Sequence, residues 1–264
     1  MPITKDDFNN IDHKVITLMG MSGVGKTYLS LLLSGQDWFH YSCDLEIGTK
    51  YLGSEIEKTL GEKNTVVAED LSQLSRYVGQ VGKGALSLDE FKRRQQKYMD
   101  AECQTLHDLK DVVRGAVDKG HTHIINDSTG SFCEIDDDVL LDSVDENSLI
   151  VYIKANQEEE KKVLKRAQDY PKPMFFSPEK LDTWLAQYAV EKGVKSTDEF
   201  DKDGFGRWVF PRLFENRLPK YQAIADKYGV TINSEKFQGV KTAENFLDII
   251  ISHLPDEYEN STLT

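Results

Sequence analysis

The stretch Val15-Ile16-Thr17-Leu18-Met19-Gly20-Met21-Ser22-Gly23-Val24-Gly25-Lys26-Thr27 decides how the rest of the chain is read. Its first five residues form an apolar run too short for a helix and stopped by a glycine, a pattern that predicts a buried parallel strand. Its last eight, Gly20 to Thr27, satisfy G-x-x-x-x-G-K-[ST] at every required position. The glycines let the backbone take conformations that a Cβ would block, so successive N–H groups converge on phosphate oxygens. Gly20, Ser22, Gly23, Val24, Gly25, Lys26 and Thr27 are therefore the residues expected to hold the phosphates of ATP. Lys26 would supply a point charge for the β- and γ-phosphates and Thr27 a hydroxyl ligand for Mg2+. Leucines at 29, 31, 32 and 33 predict a buried helix from Lys26 to about Gly35, with its positive end aimed at the same anion. A glycine-rich turn with a chance Gly-Lys-Thr is the bland alternative. The apolar strand before it and the apolar helix after it argue against chance.

Working outward, Trp38–Cys43 predicts a second strand, His123–Asn126 a third with Asp127 at its end, Leu149–Ile153 a fourth and Val230–Ile232 a fifth. Ser87-Leu88-Asp89-Glu90 has the form of a capping box, opening one long helix stopped at Gly120. A further helix is expected from Asn156 to about Gln168. Pro171 and Pro173 force an open loop, and Ser177-Pro178 places an N-cap before a proline at the first helical position. Leu181, Trp184, Leu185 and Tyr188 then make one apolar stripe. Leu213–Tyr228 reads as helical despite Pro219, Thr242–Leu254 as a closing helix, and the polar tail after Pro255 as frayed. Strands alternating with helices predict an α/β fold, a P-loop three-layer α/β/α arrangement with a parallel sheet of about five strands and a helical lid or insert. The length of 264 residues suits one elaborated α/β domain or a core with a sizeable insertion.

Charge and cysteine usage narrow the function further. Against 45 acidic residues stand 32 basic ones, a net charge of −13 that repels a phosphate backbone and argues against nucleic acid as a main partner. A local nest of N–H groups still overcomes that distant field for a nucleotide. The three cysteines form no C-x-x-C pair, which suits a reduced protein without a disulfide framework or zinc site. The N-terminal stretch is polar, and no run of ~18 apolar residues occurs to span a membrane. The expectation is a cytoplasmic, soluble protein.

Asp44 lies just beyond the second predicted strand. In a parallel sheet the carboxyl ends of neighbouring strands open on one crevice, so Asp44 should face the phosphate site and orient or deprotonate an attacking hydroxyl. A helix N-cap for Leu45 onward is the alternative.

Here the chain resembles the shikimate kinase family of small P-loop kinases. Asp44-Leu45-Glu46-Ile47 is similar to that family's acidic acceptor-binding segment, and Phe91-Lys92-Arg93 to its Phe-Arg acceptor clamp. Asp127-Ser128-Thr129-Gly130-Ser131 occupies the place of its glycine-rich turn after the third strand. Arg166 and Lys172-Pro173 resemble its adenine-side arginine and basic lid residue, and Arg217-Leu218-Pro219-Lys220-Tyr221 its Arg-x-Pro-x-Tyr segment. These pieces come in the family's order over about two-thirds of the chain.

The resemblance implies roles for them. Asp44 would hold the acceptor hydroxyl, Arg217 with Lys92 or Arg93 would grip an anionic group, and Gly130 would approach the acceptor. Lys172 would close over the phosphates, Arg166 would flank the adenine, and Asp127 would bind Mg2+ through water. Three departures stand out: Ser42-Cys43-Asp44 replaces an Asp-x-Asp pair, Ser128-Thr129-Gly130 replaces a glycine triplet, and Lys92 stands where a bidentate arginine is expected. The chain is also longer than that family's members, so the resemblance implies a single P-loop kinase-like domain spanning 1–264 with inserts at about 50–86 and 174–211. Together these departures point to an acceptor different from, or larger than, shikimate.

Other features have competing readings. Arg217 could pair with Glu215, and Arg166 with nearby acids. His121 and His123 form an H-x-H on one strand without a third ligand, and read as residues at the strand's start. Asp136-Asp137-Asp138 reads as a helix-start cluster. The aromatic set Phe175, Phe176, Trp184, Tyr188, Phe205 and Trp208 either roofs a pocket or packs a small helical subdomain. A mobile loop at Gly204-Phe205-Gly206-Arg207, from which Arg207 or Arg212 could reach the site, is a reading that the sequence leaves open. The expectation overall is a kinase taking ATP, Mg2+ and a small acceptor. A regulatory P-loop ATPase acting through a protein partner is the rival from another class.

Overall fold

The structure is a computed structural model that describes residues 3–34 and 37–257. Five strands form one sheet, all pairs parallel: β1 (Val15–Met19), β2 (Trp38–Ser42), β3 (His123–Asp127), β4 (Leu149–Lys154) and β5 (Gly229–Asn233), in the order β2-β3-β1-β4-β5. The strand feeding the glycine turn is central, so its carboxyl end opens between β3 and β4. That placement follows from composition: Ile16, Leu18, Ile125, Val151 and Ile153 are completely buried and are gathered in one cluster. Leu29 and Leu33 of the helix Lys26–Ser34 pack into the same cluster with Phe246 and Ile250 of the helix Ala243–His253. Each such side chain contributes about 1.5–3 kcal/mol when fully buried, so this face carries much of the sheet's stability. Helices Leu109–Asp118 and Asp138–Asn147 lie against β3 and β4. A polar chain runs on the sheet's other face, where the Asn126 amide donates to Thr17 Oγ1 and Thr17 meets Ser148 Oγ at 2.7 Å.

The chain divides into two compact units, one of residues 1–42, 106–157 and 219–264, the other of 43–105 and 158–218. The first holds the sheet. The second is helical and includes both stretches expected as inserts. Its helices include Gly53–Leu60, Ser72–Val78 and Pro178–Lys192, which pack around two apolar clusters. Phe176, Trp184, Tyr188 and Phe205 form the centre of one cluster, so most of the aromatic set packs the helical unit. Phe175 belongs to the other, stacked on Tyr98 at 5.3 Å between ring centroids.

Several expected boundaries shift. Strand β2 stops at Ser42 because Cys43 begins a helical turn that carries Asp44. The long helix after Ser87 is two, Leu88–His107 and Leu109–Asp118. Thr105 Oγ1 donates to Glu102 O just before the break, a local bond that competes with the helical ladder. Gly204-Phe205-Gly206-Arg207 is not a loop but part of a 27-residue helix, Lys202–Tyr228, which Pro219 does not end. Glycine is tolerated there because packing overrides propensity: a Cβ on Gly206 would lie 3.2 Å from the Pro171 side chain. Asp137 caps the helix Asp138–Asn147 by accepting from Leu140 N–H, as its acidic cluster suggested. The expected helix end at Gly35 and the tail beyond Glu257 lie outside the described residues.

Candidate active site

The phosphate loop leaves β1 through Gly20 and enters the helix at Lys26. Gly20, Gly23 and Gly25 take φ of +150°, +95° and +101°, a region that L side chains rarely adopt. At Gly20 space forbids a side chain as well, since a Cβ would stand 2.7 Å from the carbonyl oxygen of Ile153. Lys26 is buried and its Nζ donates to Gly20 O at 2.8 Å, which keeps the ammonium over the loop's own backbone. Ser22, Gly23 and Thr27 are exposed, while Val24 and Gly25 are half-buried.

The turn after β3 lies against this loop. A Cβ on Gly130 would come 3.3 Å from Ser22 N, so backbone meets backbone there. The side chains of Ser128 and Thr129 are accommodated by turning inward: Ser128 Oγ donates to Leu18 O, and Thr129 Oγ1 accepts from Ser131 N–H. Tyr221, fully buried and stacked on Tyr152, donates its hydroxyl to Gly130 O at 2.6 Å. Glu134, also buried, pairs with Lys220 one residue before Tyr221.

Asp127 closes β3, beside Leu18 of β1 on one side and Ser42 of β2 on the other. It is 4% exposed; its Oδ1 has no hydrogen-bond partner, and its Oδ2 stands 3.6 Å from His40 Nε2, itself without one. A buried carboxylate oxygen left unmade costs free energy that a bound water or cation recovers. Asp127 and the Thr27 hydroxyl are the side chains of this unit that would hold a Mg2+ ion. Among the described residues no three His, Cys, Asp or Glu side chains converge into a closed metal cage.

In the helical unit a second constellation forms. Tyr98 donates its hydroxyl to Asp44 Oδ1 at 3.1 Å. The ring of Tyr98 stacks on Phe175, whose carbonyl accepts from Arg217 Nη2 at 2.9 Å. Arg217 is 7% exposed. The proposed acceptor carboxylate and the proposed anion grip are thus joined through two aromatic residues. Gln95, also buried, fixes the intervening segment by donating to Met174 O and accepting from Phe176 N–H.

The remaining candidates are placed as follows. Lys92 pairs with Asp182 at 2.5 Å, and Arg93 with Glu90 and Glu55, both on the exposed side of their helix. The buried cation of that helix is Arg94, which donates to Tyr77 O and to Glu90. Hydrogen bonds from Arg93 and Arg94 hold the Glu90 carboxyl down to about 2. Burial pushes the Tyr77 phenol up to about 12. Arg166 is exposed on the helix Gln157–Asp169 and makes no ion pair among the described residues. Lys172, exposed, borders a small recess with Gln80, Phe91, Met174, Lys202 and Phe205. Arg207 is held by Gln168 O, and Arg212 lies 3.7 Å over the Trp208 ring. His123 accepts from Lys14 N–H at the start of β3, and burial lowers its pKa.

Sequence reading passed over Arg94, Gln95, Tyr98 and His40. A signal for the first three was present. Phe91, Arg94, Gln95, Tyr98, Glu102 and Thr105 follow helical spacing, and polar residues recur on the face that Phe91 and Tyr98 mark as buried.

The five-stranded parallel sheet flanked by helices, with the Gly20–Thr27 loop leaving its central strand, is a P-loop α/β fold. Among solved structures the chain is similar to the shikimate kinase of Aquifex aeolicus vf5, at 15% identity and a TM-score of 0.38, over 84% of this chain and 88% of that one. It is also similar to the shikimate kinase of Acinetobacter baumannii in complex with shikimate, at 13% identity and a TM-score of 0.34, over 81% and 99%. A thymidylate kinase of Ehrlichia chaffeensis matches at 12% identity and a TM-score of 0.29, over 77% and 100%. At such identities and scores these likenesses bear on neither activity nor acceptor. No protein-family model matches the chain, and no curated protein does.

Proposed function

We propose that this chain is a P-loop kinase that moves the γ-phosphoryl group of ATP to a hydroxyl of a small, anionic metabolite. The observation that carries the proposal is the Gly20–Thr27 loop, with three glycines in positive-φ backbone, an ammonium held at its centre and a helix starting behind it. The chain acts as a single cytoplasmic kinase module, with its two inserts at about 50–86 and 174–211 serving the acceptor side.

The loop's N–H groups and Lys26 bind and orient the triphosphate. Mg2+, held through Thr27 and Asp127, neutralises charge on the β- and γ-phosphates when bound. Asp44 takes the proton of the acceptor hydroxyl as that oxygen bonds to the γ-phosphorus; the bond from phosphorus to the bridging oxygen breaks, and ADP leaves with its electron pair. Tyr98 keeps the Asp44 carboxylate oriented. Arg217 grips the acceptor's anionic group, with Lys92 or Arg93 as a second cation, and Gly130 approaches it with its backbone. Lys172 closes over the phosphates and Arg166 flanks the adenine.

The test is ADP production from ATP with and without a pool of small hydroxylated acids, with phosphorylated products detected by mass spectrometry. A kinase gives acceptor-dependent ADP and a product heavier by one phosphoryl group, both lost in Lys26→Ala. Slow hydrolysis indifferent to every acceptor would refute the transfer.

A further inference from the structure

One buried pair remains unexplained by the roles above. His40 on β2 and Asp127 on β3 stand 3.6 Å apart, with side chains 11% and 5% exposed. Each presents a polar atom that finds no hydrogen-bond partner, His40 Nε2 and Asp127 Oδ1. A core placing two strongly polar groups side by side without satisfying either loses stability relative to an apolar pair of the same shape.

The sheet register explains why they meet. His40 pairs with Ile125 and Ser42 with Asp127, so all four residues project to one face of adjoining strands. Ile125 and Leu18, the β1 partner of Asp127, belong to the cluster that holds Leu29 and Leu33. That face is therefore the one covered by the helix Lys26–Ser34, which lies against β2 and β3. Asp127 sits at the carboxyl end of this covered face, and the covering helix begins with Lys26 and Thr27. His40 lies two residues back from the end of its own strand, behind the carboxylate. Ser42, directly across from Asp127, supplies no second acid.

We propose that His40 is a positioning residue. Its imidazole fixes the Asp127 carboxylate by Oδ2, leaves Oδ1 directed to a hydrated Mg2+ ion, and thereby sets the metal dependence of nucleotide binding. Partners one shell behind a metal-side carboxylate act in this way, and losing one typically weakens metal affinity about 10–100-fold. The proposal rests on the assignment of Asp127 to the Mg2+ side in the proposed function.

The experiment is calorimetric titration of the full chain with a non-hydrolysable ATP analogue, across a MgCl2 series and in EDTA. Wild type, Asp127→Asn, His40→Phe and His40→Gln are compared, with thermal melting as the control for folding. Asp127→Asn should abolish the gain in affinity that Mg2+ brings. His40→Phe should shift the MgCl2 concentration giving half that gain upward by about 10–100-fold while leaving affinity in EDTA unchanged. His40→Gln, which restores a donor, should recover part of the shift and serves as the reading should His40→Phe not fold. A normal MgCl2 dependence in folded His40→Phe, or in His40→Gln with His40→Phe unfolded, would overturn the proposal if Asp127→Asn has lost its own. An unaltered dependence in Asp127→Asn would overturn both the proposal and the metal-side role of Asp127. Absence of analogue binding by the wild type would reject the phosphate loop, and the proposal with it.

Discussion

Alanine placed at Gly20 and at Gly25 separates two physical reasons for glycine in one loop. At Gly25, with φ of +101°, a Cβ would meet nothing within 4 Å, so the whole penalty is backbone strain, about 1–3 kcal/mol for a side-chain-bearing residue held there. At Gly20, with φ of +150°, the Cβ would also lie 2.7 Å from Ile153 O, a backbone atom of the buried strand β4 that has no rotamer to escape into. Overpacking of that kind adds about 1–3 kcal/mol. The entropy that alanine removes from the unfolded chain, about 0.4–1 kcal/mol, is common to both variants and cancels in the comparison. Taking about 2 kcal/mol for each effect, less about 0.7 kcal/mol of that entropy against wild type, and roughly 2–4 °C per kcal/mol for a chain of this size, Gly25→Ala should melt about 3–5 °C below wild type and Gly20→Ala about 7–13 °C below. Thermal denaturation followed by circular dichroism, without nucleotide, measures this directly. Equal losses, or a milder Gly20→Ala, would refute the claim that contact with β4 shapes the loop.

Asp44→Asn should cut acceptor-dependent turnover by about 10^2 to 10^4, the range of a lost general base, while calorimetric affinity for ATP stays within about twofold. Lost ATP affinity instead would assign Asp44 to the nucleotide. Arg217→Ala should raise KM for an anionic acceptor more than it changes kcat, and should destabilise by about 1–3 kcal/mol because Phe175 O is left without its donor; unchanged KM would remove Arg217 from the pocket. Glu90, held at about 2 by Arg93 and Arg94, has a folded pKa below its ordinary 4.5. Its stabilisation is thus complete above pH about 4.5 and lost as pH falls towards about 2. Glu90→Gln should flatten that part of an acid-unfolding curve measured by fluorescence, and an unchanged slope would mean that the pair is screened.

Much of the sheet was legible because its signals are local. The continuous apolar runs of β1, β3 and β4, bounded by glycine or polar residues, fixed their positions to within a residue or so. The conformation of the Gly20–Thr27 turn was legible for the same reason, since eight adjacent residues carry its motif. The helix Lys202–Tyr228 was misjudged at its start because Gly204 and Gly206 read as flexibility, whereas their small size lets Tyr188, Asp201 and Pro171 come close. Non-local features were hidden in another way. Tyr98 meets Phe175, and Phe175 meets Arg217, only after segments far apart in sequence are folded together. Among the consecutive Lys92, Arg93 and Arg94, helical phase alone decides which is buried, and the phase set by Phe91 and Tyr98 selects the third.

Gln95 has a consequence of its own. Its single amide touches the stretch Met174–Phe176 at two points on alternate residues, giving a proton to one peptide and taking one from another. A flanking β-strand would engage backbone in the same manner. One helix side chain therefore substitutes for a missing ladder and fastens a segment that belongs to neither helix nor strand. The direction in which the Phe175 carbonyl draws the guanidinium is inherited from that amide. Shortening it by one methylene, as asparagine would, should unfasten the segment while every residue assigned to the chemistry remains in the sequence.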